Sequence, residues 1–250
     1  IKFINIPTTL LAQCDASIGG KTGANSISGK NLIGTFYQPD FVLTDTYMLN
    51  SLPRREIICG YGEILKHSLI VNRKFFLWLT KHGEKILNNK DKNILKKAII
   101  KSCKIKSQIV RKDEREKNLR KLLNFGHTFA HAYEAALNYS KKLNHGEAVI
   151  LGIISACEFS YKKKILNKKE YRLILNHINK INKSLRLNNF FSKKDINKII
   201  KFMIIDKKNI SEKINLVLLK KIGLAHYKNF YKVTDVHKFT KNQFKNISIE

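Results

Sequence analysis

From residue 54 to about residue 205 the apolar positions recur at three- and four-residue intervals, the period of an α-helix with one face turned to a core. The pattern predicts helices over 54–71, 73–81, 91–111, 118–137, 145–164, 168–183 and 193–204. Pro53 suits the first turn of the first of these, and no proline follows it. Ahead of Pro53 the pattern is different. Residues 2–7 and 41–45 are short apolar runs ending in turn residues, which reads as buried strands. Between them lies a Gly- and Lys-rich loop over 15–34. Ile214–Leu219 reads as a late strand. The expected fold is α/β followed by mostly α: a small α/β remnant over 1–53, then a larger helical domain over 54–250. Because the chain starts with Ile inside an apparent strand, it reads as the later part of something longer.

One predicted helix breaks the rule that such a stripe is apolar. In Arg120-Lys-Leu-Leu-Asn-Phe-Gly-His-Thr-Phe-Ala-His131, the residues Arg120, Asn124, His127 and His131 share one helical face. A polar face beside Leu122, Leu123, Phe125 and Phe129 suits the wall of a wet pocket. Two imidazoles one turn apart suit a metal, and a guanidinium with an amide suits an anionic substrate. The metalloprotease pattern H-E-x-x-H is excluded, since Thr128 follows the first His.

Charge changes the picture less than its size suggests. With 48 Lys and Arg against 19 Asp and Glu the net charge is +29, which raises nucleic-acid binding. The excess is mostly Lys, accompanied by abundant Asn and Ile. AT-rich codons explain all three together, and no aromatic-interleaved basic groove is visible, so a nucleic-acid partner is not expected. Cys14, Cys59, Cys103 and Cys157 are widely spaced, which suits reduced thiols in a cytoplasmic protein rather than a disulfide framework. No apolar run approaches the length of a membrane span.

Three further groups carry candidate chemistry. Gly19-Gly20-Lys21-Thr22 and Gly29-Lys30-Asn31 could gather backbone N–H groups and ammonium heads on phosphates, although Asp15 stands where a Walker A loop needs its first Gly. Glu63, Lys66 and His67 fall on one helix face; taken alone, they read as an exposed ion pair. His145-Gly146-Glu147 opens a helix. Glu63, one His of 127–131 and His145 together make a two-imidazole, one-carboxylate set of the kind that holds catalytic zinc.

These residues sit within blocks that resemble the 3-dehydroquinate synthase family. The blocks are Pro7-Thr8-Thr9-Leu10-Leu11, Ile18-Gly19-Gly20-Lys21-Thr22, Gly29-Lys30-Asn31-Leu32-Ile33-Gly34, Phe36-Tyr37-Gln38-Pro39, Glu63-Ile64-Leu65-Lys66, Asp113-Glu114-Arg115-Glu116, Leu122-Leu123-Asn124-Phe125-Gly126-His127-Thr128, His145-Gly146-Glu147-Ala148 and Asp206-Lys207-Lys208, in the family's order. The resemblance implies that Glu63, His127 and His145 ligate Zn2+ or Co2+. It implies that Thr8, Thr9, Lys21, Lys30 and Met48, Leu49, Asn50 and Ser51 hold NAD. It places Asp15, Asn31, Lys66, Lys106, Arg120, Asn124, His131 and Lys207 around a small sugar-acid phosphate, with Lys208 an alternative to Lys207.

The implied reaction converts 3-deoxy-D-arabino-heptulosonate 7-phosphate to 3-dehydroquinate and phosphate in the shikimate pathway. It runs by transient oxidation with NAD, phosphate elimination, re-reduction and aldol closure, in a cytoplasmic homodimer. His131 is the expected proton relay. The alternatives are another sugar-phosphate cyclase, such as 2-deoxy-scyllo-inosose synthase, and an inactive truncated remnant. The Lys106, Arg120 and Asn124 cluster favours a carboxylate-bearing substrate. The family's main nucleotide-binding sheet and its G-G-G-V-x-x-D segment precede the position that matches Ile1. Gly62 stands where Ala is usual, at about 1 kcal/mol of helix propensity. His67 stands where an aromatic or small residue is common.

Overall fold

The computed structural model describes residues 1–26, 29–89, 91–205 and 213–246. Ahead of Pro53 there is little regular structure. Strand β1 (Ile4–Asn5) pairs in parallel with β4 (Phe41–Val42), and β2 (Ala24–Ser26) pairs antiparallel with β3 (Gly29–Ile33) within the Gly- and Lys-rich loop, where no strand is expected. A π-helical turn, Ala12–Ala16, and a 3₁₀ turn, Thr46–Ser51, complete this part.

Helix α1 (Arg54–Val71) has the expected bounds. Every residue from Ile57 to Ile70 is buried, so α1 is central rather than amphipathic, and any charge on it must be compensated in place. It packs against α2 (Arg73–Leu87), α3 (Lys92–Lys112) and α5 (His145–Lys162). α2 runs past residue 81, where its predicted end falls, because Phe75, Phe76, Leu79, Ile86 and Leu87 extend one buried stripe. Helix α6 (Lys168–Ile181) is strongly amphipathic and covers α5.

The predicted helix over 118–137 is corrected by the structure. It is a 3₁₀ turn, Leu119–Asn124, followed by α4 (His127–Ala136). Gly126 separates them at φ +80, a left-handed conformation that interrupts the helix and that L side chains rarely adopt. Arg120 and Asn124 therefore do not share one continuous helical face with His127 and His131. The 193–204 helix likewise begins as a 3₁₀ turn, Lys193–Asp195, before α7 (Ile196–Ile205). The single late strand is two, β5 (Lys213–Asn215) and β6 (Leu218–Lys221); β5 pairs with β8 (Phe230–Lys232), and β6 with β7 (Leu224–His226). Helix α8 (Val233–Asn246), which the pattern does not predict, closes the chain's described part. One hydrophobic core joins Leu10, Cys14 and Leu49 of the first segment to α1 through α8. Among the described residues no helix is long and apolar enough to cross a membrane.

Candidate metal centre and anion site

Three helices converge on one carboxylate. Glu63 comes from the middle of α1, His127 is the first residue of α4, and His145 is the first residue of α5. Asn144 fixes the start of α5 through a capping box with Glu147: its side chain accepts from the Glu147 N–H, and the Glu147 carboxylate accepts from the Asn144 N–H. Arg55, at the start of α1, then grips both Glu147 oxygens, at 2.8 and 2.6 Å, and donates to the carbonyls of Lys141 and Lys142. The starts of α1 and α5 are thereby tied together beside His145.

Glu63 Oε1 lies 3.3 Å from His127 Nε2 and 3.5 Å from His145 Nε2. The far nitrogen of each ring has its own partner. His127 Nδ1 faces the Phe125 carbonyl at 3.2 Å, and His145 Nδ1 faces Glu134 Oε2 at 3.1 Å. A backbone or carboxylate acceptor behind an imidazole fixes its tautomer and turns the other nitrogen toward a metal. Glu134 was missed at the sequence level, although it lies three residues beyond His131 and seven beyond His127, on their face of α4.

The ionisation of these groups shows what the cluster asks for. Burial lowers the His127 pKa to about 4, so that ring is neutral. Burial opposes charge on His145 too, yet hydrogen bonds to Glu134 and Glu63 push it up to about 9. Burial also opposes ionisation of Glu63, but Lys66 and the two imidazoles hold its carboxyl well below the usual range. A buried carboxylate, a second carboxylate behind one His and two Nε2 atoms facing inward require positive charge at their centre. The ligand atoms of Glu63, His127 and His145 all lie within 4.8 Å of one another, and an O, N, N donor set fits Zn2+ or Co2+ with positions left open. The ring of His131 faces the same space, its centroid 5.3 Å from that of His127 and 6.3 Å from that of His145.

Beside the cluster lies a buried cation network. Lys66 Nζ is 2.5 Å from Glu63 Oε2 and 3.8 Å from Asp15 Oδ1. Lys106 Nζ is 2.9 Å from Asp15 Oδ2 and donates to the Asp15 carbonyl at 2.8 Å. Glu63, Lys66 and His67 are 1%, 2% and 0% exposed, so the exposed ion pair expected from their spacing is corrected. α1 is walled in on all sides, which the spacing alone does not reveal.

Arg120 is buried, and its guanidinium donates to the carbonyls of Gly19 and Glu114, with Phe36 stacked near it. It pins the Gly-Lys turn to the 113–116 loop. Asn124 donates to Glu116, which also pairs with the half-exposed Lys21.

Of the residues expected to hold NAD, Thr9 Oγ1 accepts from Ala12 N–H, and Thr8 is exposed. Met48 is exposed. Asn50 takes a bond from Lys92, whereas the Leu49 side chain is part of the core and its carbonyl accepts from Asn89. Ser51 is exposed. The expectations for Lys207 and Lys208, and for the side chains of Lys30 and Asn31, lie outside what is described. All four cysteines are free.

The model of the 3-dehydroquinate synthase N-terminal region matches residues 1–59, and that of the C-terminal region matches residues 60–209. A 3-dehydroquinate synthase from Pelagibacter ubique is 58% identical over 97% of the chain, and one from Thermodesulfovibrio yellowstonii is 43% identical over 89%. The chain spans 66% and 61% of the lengths of these two relatives. Among solved structures, a 2-epi-5-epi-valiolone synthase from Streptomyces hygroscopicus with NAD+ and Zn2+ bound superimposes with TM-score 0.84 at 23% identity, covering 98% of this chain and 67% of that one. A 2-deoxy-scyllo-inosose synthase complexed with carbaglucose-6-phosphate, NAD+ and Co2+ gives TM-score 0.82 at 26% identity, covering 97% and 66%. The fold is that of the sugar phosphate cyclases. Within that class, the chain belongs to the 3-dehydroquinate synthase family.

Proposed function

We propose that this chain carries the metal- and substrate-binding centre of a 3-dehydroquinate synthase, acting on 3-deoxy-D-arabino-heptulosonate 7-phosphate. In this reading residues 1–53 complete a nucleotide-binding domain and residues 54–250 form the helical domain. The observation that carries it is the two-sided use of Glu63: one oxygen faces His127 and His145, the other faces Lys66. Metal site and anion site thus share a carboxylate, which suits a substrate whose hydroxyl and acidic groups are bound side by side.

Glu63, His127 and His145 would hold the Zn2+ or Co2+, with Glu134 and the Phe125 carbonyl orienting the rings. When bound, the metal supplies Lewis acidity at a substrate hydroxyl and NAD supplies a reversible hydride acceptor. The rest falls to the chain's own groups. Lys66 and Lys106, oriented by Asp15, bind the substrate's anionic groups. Arg120 and Asn124 hold the Gly-Lys turn and the 113–116 loop around it. His131, facing the same space, takes up the substrate hydroxyl proton at a ring nitrogen. Thr8, Thr9, Lys21, Lys30 and residues 48–51 form the NAD side, Leu49 through its backbone; Asn31 and Lys207 complete the substrate side. The family reading implies a homodimer.

The test is phosphate release from the heptulosonate phosphate with NAD and zinc, beside zinc titration of the wild-type chain and Glu63→Ala. We expect one tightly bound zinc and NAD-dependent release, both lost in Glu63→Ala. Turnover of glucose 6-phosphate in place of the heptulosonate would move the assignment to an inosose synthase. A folded wild-type chain without stoichiometric zinc would overturn the metal centre itself.

A further inference from the structure

Among the described residues, three buried side-chain atoms beside the metal cluster have no hydrogen-bond partner: Asp15 Oδ1, Glu63 Oε2 and His67 Nε2. One ligand atom from each of these residues lies within 4.8 Å of the other two. Leaving such atoms unsatisfied is costly, so their convergence calls for a cause. A second metal ion is not that cause. The Lys66 ammonium is already 2.5 Å from Glu63 Oε2 and 3.8 Å from Asp15 Oδ1. Burial works against its charge, but Glu63 and Asp15 raise its pKa above the usual value. The cation of this niche is Lys66, and a divalent ion would be set against it. That accounts for the carboxylates and leaves His67.

His67 has no exposure to solvent. Its Nδ1 lies 2.6 Å from Ser102 Oγ on α3, and its Nε2 lies 3.2 Å from Asp15 Oδ1 on the π-helical turn. Burial pulls its pKa down, so the ring is neutral and carries one N–H. If that hydrogen is on Nδ1, it points at Ser102 Oγ. The hydroxyl must then turn to the Cys14 carbonyl at 3.4 Å, and bare Nε2 faces a carboxylate lone pair to lone pair. If the hydrogen is on Nε2, the Ser102 hydroxyl donates to Nδ1 at 2.6 Å and Nε2–H points toward Asp15. Only the second arrangement removes the repulsion.

We propose that His67 is a positioning residue: Ser102 holds it in the Nε2–H tautomer, and through that hydrogen it steers the Asp15 carboxylate that orients Lys66 and Lys106. Asp15 is then held on both oxygens, by His67 on Oδ1 and by Lys106 on Oδ2. The role of the two lysines rests on the function proposed above; the tautomer does not.

The first test needs no turnover. Side-chain 15N NMR of the histidines is expected to show His67 neutral and protonated on Nε2, with its Nδ1 resonance moving in Ser102→Ala. A proton on Nδ1 overturns the proposal. The second test is kinetic. His67→Phe keeps the ring volume and removes the Ser102 hydrogen bond and the Nε2 contact to Asp15, while His67→Gln returns an N–H donor near the position of Nε2. We expect His67→Phe to raise KM for the sugar-acid phosphate about tenfold. KM for NAD and the zinc stoichiometry should not change. His67→Gln should recover most of the loss, and His67→Phe should add nothing in an Asp15→Asn background. Additive effects of the two substitutions, or an unchanged KM in His67→Phe, overturn the proposal. If His67→Phe fails to fold, His67→Gln and the NMR measurement still decide. A wild-type chain that binds zinc but releases no phosphate counts against the activity proposed above, and the tautomer result stands apart from it.

Discussion

The contact between α1 and α5 sets the distance from Glu63 to His145, and one glycine controls it. A Cβ added at Gly146 would stand 2.2 Å from both Cα and the carbonyl oxygen of Cys59. Ordinary contact begins near 3.4 Å, so Gly146→Ala must open the crossing by about 1.2 Å. The obstacle is backbone on a fully buried helix, which no rotamer change can relieve. His145 is the adjacent residue, so the opening acts directly on the Glu63–His145 separation. Sites of this kind tolerate misplacement of only about 0.5 Å, and overpacking costs about 1–3 kcal/mol. We expect Gly146→Ala to bind zinc at least about tenfold more weakly and to lose about 2 kcal/mol of stability.

Gly62→Ala provides the graded comparison. Its Cβ would meet Gly146 O at 2.9 Å and Ile150 Cγ1 at 3.2 Å, a smaller intrusion partly offset by the roughly 1 kcal/mol gained in helix propensity. The assays are zinc competition titration and urea unfolding of the apo protein. Gly146→Ala with unchanged zinc affinity, or with a smaller effect than Gly62→Ala, would refute the claim that this backbone approach sets the metal geometry.

Two further predictions concern ionisable groups. Glu134→Gln removes the charge behind His145 Nδ1 and is expected to weaken zinc binding about tenfold by competition titration; a change under twofold would sink the orienting role of Glu134. His177 is buried against Tyr61, its Nε2 2.8 Å from the Tyr61 hydroxyl, and burial lowers its pKa from the usual 6.5 to about 4. Below pH 6.5 the unfolded chain takes up a proton that the folded ring refuses, so stability falls as pH drops from about 6.5 to about 4. The loss is about 2 kcal/mol by pH 5. His177→Gln should lack that share of the pH dependence in urea unfolding at pH 7 and pH 5, and parallel curves for the two proteins would refute it.

The parts of the molecule legible in the sequence are those decided locally. α1 begins after Pro53 and ends where Asn72 caps α2, and both boundaries can be read from single residues. His145 opens α5 because Asn144 and Glu147 form a capping box within four residues. The break at Gly126 is also local, but a strong run of apolar and polar spacing over 118–137 conceals it. What the spacing could not show is which helix is central. Glu63, Lys66 and His67 read as a surface pair because nothing in their neighbourhood announces that α2, α3 and α5 enclose them. The C-terminal strands are three or four residues long, too short for a period-two signal, and the positions of Leu49, Glu134 and Ser102 depend on partners far along the chain.

The buried cations also show why the net charge of +29 is a poor guide to function. Lys66, Lys106 and Arg120 are buried and each already faces protein oxygen, from Glu63, Asp15, Gly19 or Glu114. The charge that meets a ligand here is therefore not the summed surface charge. It is a set of ammonium groups whose carboxylate partners hold them in place and compete with any incoming anion. Charges in such a niche are screened little by salt, whereas exposed lysines are screened within about 10 Å at moderate ionic strength. Selectivity then depends on whether a ligand's own acidic groups match the positions of Asp15 and Glu63 better than solvent does. Under the proposed function that criterion favours a rigid, doubly anionic sugar acid over a flexible polyanion, and it ties recognition to Glu63, which also faces the two imidazoles of the metal cluster.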